Sequence, residues 1–496
     1  MYARALLVGV FVSVLAGTSR VDAAKLDNLI QEYQEAKRAN KVASAPGRKP
    51  GGRRGGKRQA PAPLEPILLR IAGLGMQASL RFLVKEYADS DPVVVAACAK
   101  ALLSIDSEAA VRVVIKGFDR RGKWTLAPKV RVLDLLAKSK SADALEFVIR
   151  QAKRGDVESR IIALGSLKVR PKSSMALEVI LESLGHRVSE VRRAAFRALK
   201  GFRHKSMIPA LMERIGREKE EVLRTDALQL LVQLSRVNMG LAIKDWEKWW
   251  DAEGERFELK AKEGGRTVSI APDMTYFGIE VSSKRIAFLV DASKSMQGSA
   301  GGGKKGRGKK GGGGRTKIVV LKEELTQILK KLPPTTAVNI IYFHRGAFSW
   351  KDKLQLLRGA GRAEAIAFVQ GLKLELKTAI YDALELALKD RRVDTIYLLS
   401  DGRPVGGKIA DPQRILDEVQ AMNRIRGAKI HCISFGTETP FLKKLAAQND
   451  GIYRSTKPTA AKKGKGKQGG KNGGKNGGKN GGDKDRDRGG AKSSGS

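Results

Sequence analysis

Residues 285–298 read RIAFLVDASKSMQG: an apolar run ends at Asp291, and Ser293 and Ser295 follow at alternate positions. A short run of this kind, rich in Ile, Phe and Val, predicts a strand buried on both faces. Asp291 and the two serines then place one carboxylate and two hydroxyls at its carboxyl end, where open α/β sheets bind their ligands.

Outward from this strand the pattern alternates. TKIVVLKEELTQILKKL (316–332), GRAEAIAFVQGL (361–372), TAIYDALELALKD (378–390), DPQRILDEVQAMNRIRG (411–427) and FLKKLAAQND (441–450) carry a helical period. AVNIIYF (337–343), VDTIYLLSDG (393–402), AKIHCISFG (428–436) and GIYRST (451–456) read as strands. Such alternation predicts an α/β doubly wound, Rossmann-like domain over residues 284–456, its mostly parallel sheet covered by helices on both faces.

With Asp291, Ser293 and Ser295 after one strand, Thr378 opening TAIYDALELAL and Asp401 closing YLLSDG, this half resembles the von Willebrand factor A domain. The resemblance implies a metal-ion-dependent adhesion site made of Asp291, Ser293, Ser295, Thr378 and Asp401. It further implies a Mg²⁺ ion, or Mn²⁺ or Ca²⁺, whose shell is completed by an exposed Asp or Glu of a protein partner. Three hydroxyls and two carboxylates suit such a hard cation. Capping of the next helix would account for Asp291 and the serines alone, but five oxygen donors exceed what a cap needs.

Two departures from the family pattern stand out. Lys294 fills a central position often held by glycine, and its ammonium would repel a metal if it folded inward. Residues 298–315, GSAGGGKKGRGKKGGGGR from Gly298 to Arg315, insert a disordered Gly/Lys loop before the first helix, beside the same edge of the sheet.

Residues 62–250 repeat. VAACAKAL ending at Leu102, KVRVLDLL at Leu136, RIIALGSL at Leu167, RRAAFRAL at Leu199 and RTDALQLL at Leu231 align at steps of 34, 31, 32 and 32 residues. Small or apolar residues stand four and three before each leucine, among them Cys98, Ala163, Ala195 and Ala227. That spacing lets one helix of each unit pack closely on its neighbour, so the block resembles a HEAT-like all-α solenoid. Lys129, Arg160, Arg192 and Arg224 recur seven before the leucine, which reads as a solvated basic face. Trp246, Trp249 and Trp250 share one helical face and read as the cap of the array's core. Residues 251–283 read as a connector. The combination of repeats, WEKWW, MTYFGIEVSSKRIAFLVD and an A-type domain also resembles exported bacterial proteins, notably from Planctomycetes.

At the start, Arg4, an apolar run from Ala5 to Gly17 and small residues at Ala23 and Ala24 predict a signal peptide over 1–24. The apolar run is shorter than the roughly 20 residues that span a bilayer, and no later stretch is longer, so no transmembrane segment is expected after cleavage. A short amphipathic helix and a basic Pro/Gly-rich linker follow over 25–61. The implied location is exported, periplasmic or extracellular.

The net charge of +42 is concentrated in low-complexity chain. Residues 37–58 hold nine Lys/Arg and no acid, the 298–315 insertion six and none, and the 457–496 tail twelve against three, more than half of the excess. The tail, with its repeated Gly-Gly-Lys-Asn, predicts disorder that attracts an anionic envelope polymer; none of these segments interleaves aromatics for base stacking. Cys98 and Cys432 read as buried thiols in separate domains. His186, His204, His344 and His431 lack zinc-site spacing, and neither a nucleophile elbow nor a phosphate loop occurs. The expectation is a non-enzymatic adhesion or scaffold protein, with nucleic-acid or acidic-polysaccharide binding through the basic segments as the alternative.

Overall fold

The computed structural model describes residues 20–44, 63–87, 91–105, 107–120, 125–259, 273–300, 315–435 and 439–456. The apolar run of the signal peptide, the linker over 45–62, residues 301–314 of the insertion and the tail from 457 lie outside them.

Thirteen helices come first among the described residues: α1 (Arg20–Ser44), α2 (Leu64–Gly73), α3 (Gln77–Tyr87), α4 (Pro92–Leu103), α5 (Glu108–Arg120), α6 (Leu126–Lys138) and α7 (Ala142–Arg154). They continue with α8 (Val157–Leu167), α9 (Ser174–Ser183), α10 (Ser189–Leu199), α11 (Met207–Arg217), α12 (Glu221–Ser235) and α13 (Ile243–Glu253). The five aligned segments are α4, α6, α8, α10 and α12, and each packs on the next in one row. Their repeated positions explain why: Cys98, Val132, Ala163, Ala195 and Ala227 are all buried, as are the five leucines. Helices α5, α7 and α9 pack on one another in a second row. Local chemistry sets the starts, since Ser141, Asp156 and Ser173 accept backbone N–H bonds from Ala144, Ser159 and Ala176 as N-caps.

Helix α1 starts five residues before the predicted one and docks on α2, burying Leu26 and Tyr33, so it is the first layer of the array. At the other end Trp246 is fully buried with its indole N–H donating to the Gly240 carbonyl, while Trp249 and Trp250 cluster with Phe257.

The basic row is not a solvated face. Lys129 is 5% exposed and reaches Asp156 and Glu158 at the start of the next repeat, and Arg192 forms a two-pronged bond to Glu218 at 2.8 and 2.9 Å. Arg160 donates to the Gly155 carbonyl. At Lys129 and Arg192 this register ties one unit to the next, and the periodicity alone does not distinguish this from exposure. Arg192→Ala should cost about 2 kcal/mol in chemical unfolding, because it strands a Glu218 side chain that is 2% exposed. A change below 0.5 kcal/mol, the ordinary result at a solvated position, would restore the surface reading.

The second half opens with a hairpin, β1 (Thr275–Tyr276) and β2 (Ile279–Glu280), turned by Phe277 and Gly278 at φ +49° and +73°. Positive φ at both central residues matches the twist of a two-residue hairpin loop. Tyr276 is fully buried against Phe288 and Tyr397, so residues 273–283, read from sequence as the end of a connector, belong to the α/β core. Then follow β3 (Arg285–Asp291), a 3₁₀ turn (Lys294–Gln297), α14 (Lys317–Lys331), β4 (Ala337–Phe343), β5 (Ala347–Ser349), β6 (Gln355–Leu356), α15 (Gly361–Gln370) and α16 (Ile380–Lys389). The chain ends its described part with β7 (Thr395–Ser400), α17 (Pro412–Arg426), β8 (Lys429–Ser434), α18 (Pro440–Gln448) and β9 (Tyr453–Ser455).

The sheet order is β5-β4-β3-β7-β8-β9, parallel except where β5 and β6 pair antiparallel with β4. Alternation along β3 feeds both cores: Ile286, Phe288 and Val290 face α14 with its Leu321 and Leu325, and Ala287 and Leu289 face Ile380, Leu384 and Ile415 of α16 and α17. The expected doubly wound domain is present, and β3 is its central strand. Cys98 and Cys432 are buried in different cores.

The amino ends of the strands rest on the even-numbered helices. Lys429 pairs with Asp226 at 2.6 Å, Arg285 with Glu220 at 2.9 Å, and Lys284 with Glu221 at 2.7 Å. The last turn of α17 completes the contact, with Arg424 on Asp134 and the Arg424 and Arg426 carbonyls accepting from Arg197 and Arg193. Because parallel strands all point the same way, their carboxyl ends face away from the array. The seven residues of β3 separate the two edges by about 20 Å.

Candidate metal centre

At the carboxyl edge the parallel register sets Asp291 beside Ser400 of β7. The Ser400 hydroxyl donates to Asp291 Oδ2 at 2.5 Å, and the Ser293 backbone N–H donates to Oδ1 at 2.8 Å. Asp291 is fully buried, and loss of solvent pushes its carboxyl up from 3.8 to about 6, although the Ser293 and Ser400 donors pull the other way. The buried carboxylate is therefore short of positive charge.

The hydroxyls form a chain. Ser293 Oγ lies 2.8 Å from Ser295 Oγ, and Ser295 Oγ donates to Asp401 Oδ1 at 2.7 Å. Four of the five predicted ligands are thereby joined directly or through one backbone bond. Thr378 comes to the same edge on a loop held at two points. Glu375 bridges the Ser293 segment through backbone bonds to Ala292 and Lys294, and Thr378 exchanges both backbone bonds with Val405, four residues after Asp401.

Lys294 is exposed, so the feared intrusion into the site does not occur there. A different cation does enter: Lys317 Nζ stands 2.6 Å from Asp401 Oδ2, in a pair whose side chains are 19% and 2% exposed. Neither Lys317 nor Ser400 was singled out from sequence. Ser400 precedes Asp401 in the SDG triplet, so strand pairing with β3 would have found it. Lys317 lies 84 positions before Asp401 and carries no motif.

His344 ends β4 beside this edge, with its Nδ1 accepting the Arg345 N–H and its ring against Phe348, so it is a packed loop residue. His431 is stacked on Tyr397, and burial first, then Lys429, pushes its imidazole down to about 3. Among the described residues no group of three or more His, Cys, Asp or Glu is placed to hold a metal ion; the oxygen donors of the mixed hydroxyl and carboxylate cluster are of the kind that suits a hard cation.

Residues 313–455 match the family model of the von Willebrand factor type A domain, and residues 145–232 match that of HEAT repeats. The chain carries both. The A-domain match begins at residue 313, near the end of the insertion and beyond β3, so the placement of Asp291, Ser293 and Ser295 rests on β3 being the central strand of the same sheet. Inter alpha-trypsin inhibitor heavy chain 4 of Mus musculus is 27% identical over 221 residues, 40% of this chain and 21% of that protein. Human von Willebrand factor A domain-containing protein 3A is 32% identical over 119 residues, 23% of this chain and 10% of that protein. The chain thus spans about a fifth or less of these relatives. Among solved structures, a von Willebrand factor type A protein from Catenulispora acidiphila is 19% identical, covering 34% of this chain and 38% of that one at a TM-score of 0.28. Proximal thread matrix protein 1 of the mussel byssus, solved with a zinc-occupied adhesion motif, is 19% identical, covering 35% and 41% at a TM-score of 0.25. An A domain with HEAT repeats fits a protein-interaction or adhesion role. No described helix is long and apolar enough to cross a membrane.

Proposed function

We propose that this chain is an exported, non-enzymatic adhesion or scaffold protein whose A domain binds an acidic group of a protein partner through Mg²⁺. The observation that carries the reading is the hydrogen-bonded chain Ser293, Ser295, Asp401 above a buried Asp291, at the carboxyl ends of adjacent parallel strands. Ser293, Ser295 and Thr378 would supply hydroxyl oxygens, and Asp291 and Asp401 the carboxylates. The ion supplies a positive, electrophilic centre that a partner's Asp or Glu can join. The protein's own part is to hold the hydroxyls in line and keep Asp291 dry.

The site points away from the array, so an acidic partner can reach it without displacing the repeats. The array's helices α6, α8, α10 and α12 are engaged by the A domain, and the row of α5, α7 and α9 remains as the surface for a second partner.

Calorimetric titration of Mg²⁺ and Mn²⁺ into the full chain should show saturable binding at one site. Capture of an aspartate-bearing peptide should then require the metal and stop in EDTA. Binding that ignores EDTA but falls steeply with salt would instead assign recognition to the basic segments and a polyanion.

A further inference from the structure

We propose that Lys317 is a tethered counter-cation of the metal centre, which a divalent ion must displace from Asp401. The inference rests on the metal reading above and adds a control element that the five ligands do not contain.

The neck of the insertion delivers this side chain. Lys317 N–H donates to the Gly298 carbonyl at 3.0 Å, Ala300 N–H donates to the Arg315 carbonyl at 2.9 Å, and Ser299 bridges Thr316 antiparallel. These contacts close the two ends of the insertion and start α14 at Lys317, beside the 3₁₀ turn that contains Ser295. A side chain at Gly298 would touch the lysine: a Cβ there would lie 3.8 Å from Nζ.

Two features mark the arrangement as more than a surface ion pair. A cation at the first position of a helix opposes the helix dipole, and the first turn of α14 holds no acidic residue to offset it. The compensating charge is Asp401, whose carboxylate is almost wholly buried and whose other oxygen is already bound by Ser295. A divalent ion held by Ser295 and Asp401 would sit within a few ångströms of an ammonium, and like charges at that distance repel strongly away from bulk water. Ion and ammonium therefore exclude each other. Without metal the lysine neutralises Asp401, and with metal it swings out on its flexible stem, adding a positive group at the rim where a carboxylate ligand arrives.

The test compares Mg²⁺ affinity of the full-length wild type, Lys317→Gln and Lys317→Arg by calorimetry. Lys317→Gln should bind at least tenfold more tightly, and Lys317→Arg, which keeps the charge, no more tightly than wild type. Equal or weaker binding by Lys317→Gln, beside a wild type that binds, overturns the gate and leaves the metal site standing. No uptake by any of the three at millimolar Mg²⁺ or Mn²⁺ overturns both. Should Lys317→Gln not fold, acetylation of wild type followed by mass spectrometry decides. Saturating Mg²⁺ should speed modification of Lys317 several-fold and leave exposed Lys389 unchanged, and an unchanged Lys317 rate under proven Mg²⁺ uptake overturns the proposal.

Discussion

Asp291→Asn should abolish Mg²⁺ binding while raising the stability of the metal-free protein. The two effects share one cause. Asp291 is fully buried, its bonds from Ser293 and Ser400 do not offset the loss of water, and its carboxyl is held near 6 instead of 3.8. A group whose folded pKa lies above its unfolded value contributes stability that is complete below about pH 3.8 and is lost as pH rises through about 6. At pH 7 the ionised carboxylate thus costs the fold up to about 3 kcal/mol, at about 1.4 kcal/mol per pKa unit. Asparagine keeps the shape and carries no charge: its oxygen accepts from the Ser293 N–H, and its NH2 donates to Ser400 Oγ once that hydroxyl turns away. The variant should melt several degrees above wild type at pH 7 in EDTA, and the two should converge near pH 4. In saturating Mg²⁺ the wild type recovers the difference and the variant does not respond. A variant less stable than wild type at pH 7 without metal would show that the carboxylate is structural, held for its hydrogen bonds.

Much of this architecture is legible in the sequence because its signals are long. The strands of the sheet are apolar runs bounded by polar chain, and the repeat is visible because Ala163, Ala195 and Ala227 recur in phase with a leucine four residues on. The parts that escape are short or relational. Strands β1, β2, β5 and β6 span two or three residues each, too few to show a period, and are defined by their pairing. The basic row looks the same in sequence whether it meets water or the acids of the next repeat; only the stacking of α6 on α8 and of α10 on α12 brings Lys129 to Asp156 and Arg192 to Glu218. The five oxygen donors are legible through their order along the chain. Lys317 is not, because its role depends on the insertion's ends closing so that a residue after a low-complexity loop lands beside Asp401.

The contact between array and A domain yields the second large effect. Asp226→Ala should destabilise the protein by about 3 kcal/mol, since Lys429 and Asp226 meet at 2.6 Å with side chains only 15% and 9% exposed, and removing one partner strands the other. Hydrogen exchange should locate the loss along α12 and the start of β8. The double variant Asp226→Ala, Lys429→Met should cost less than Asp226→Ala alone, because the stranded ammonium is gone and its stem is kept as apolar volume. Additive losses would instead mean that the two residues act separately. Mg²⁺ affinity should stay within twofold of wild type in both variants, since the pair lies at the amino ends of the strands and the metal centre about 20 Å away at their carboxyl ends. A large change in affinity would mean that docking strains the sheet and that the repeats set the metal site's conformation. With affinity unchanged, the array fixes where the site points and the A domain alone fixes what it binds.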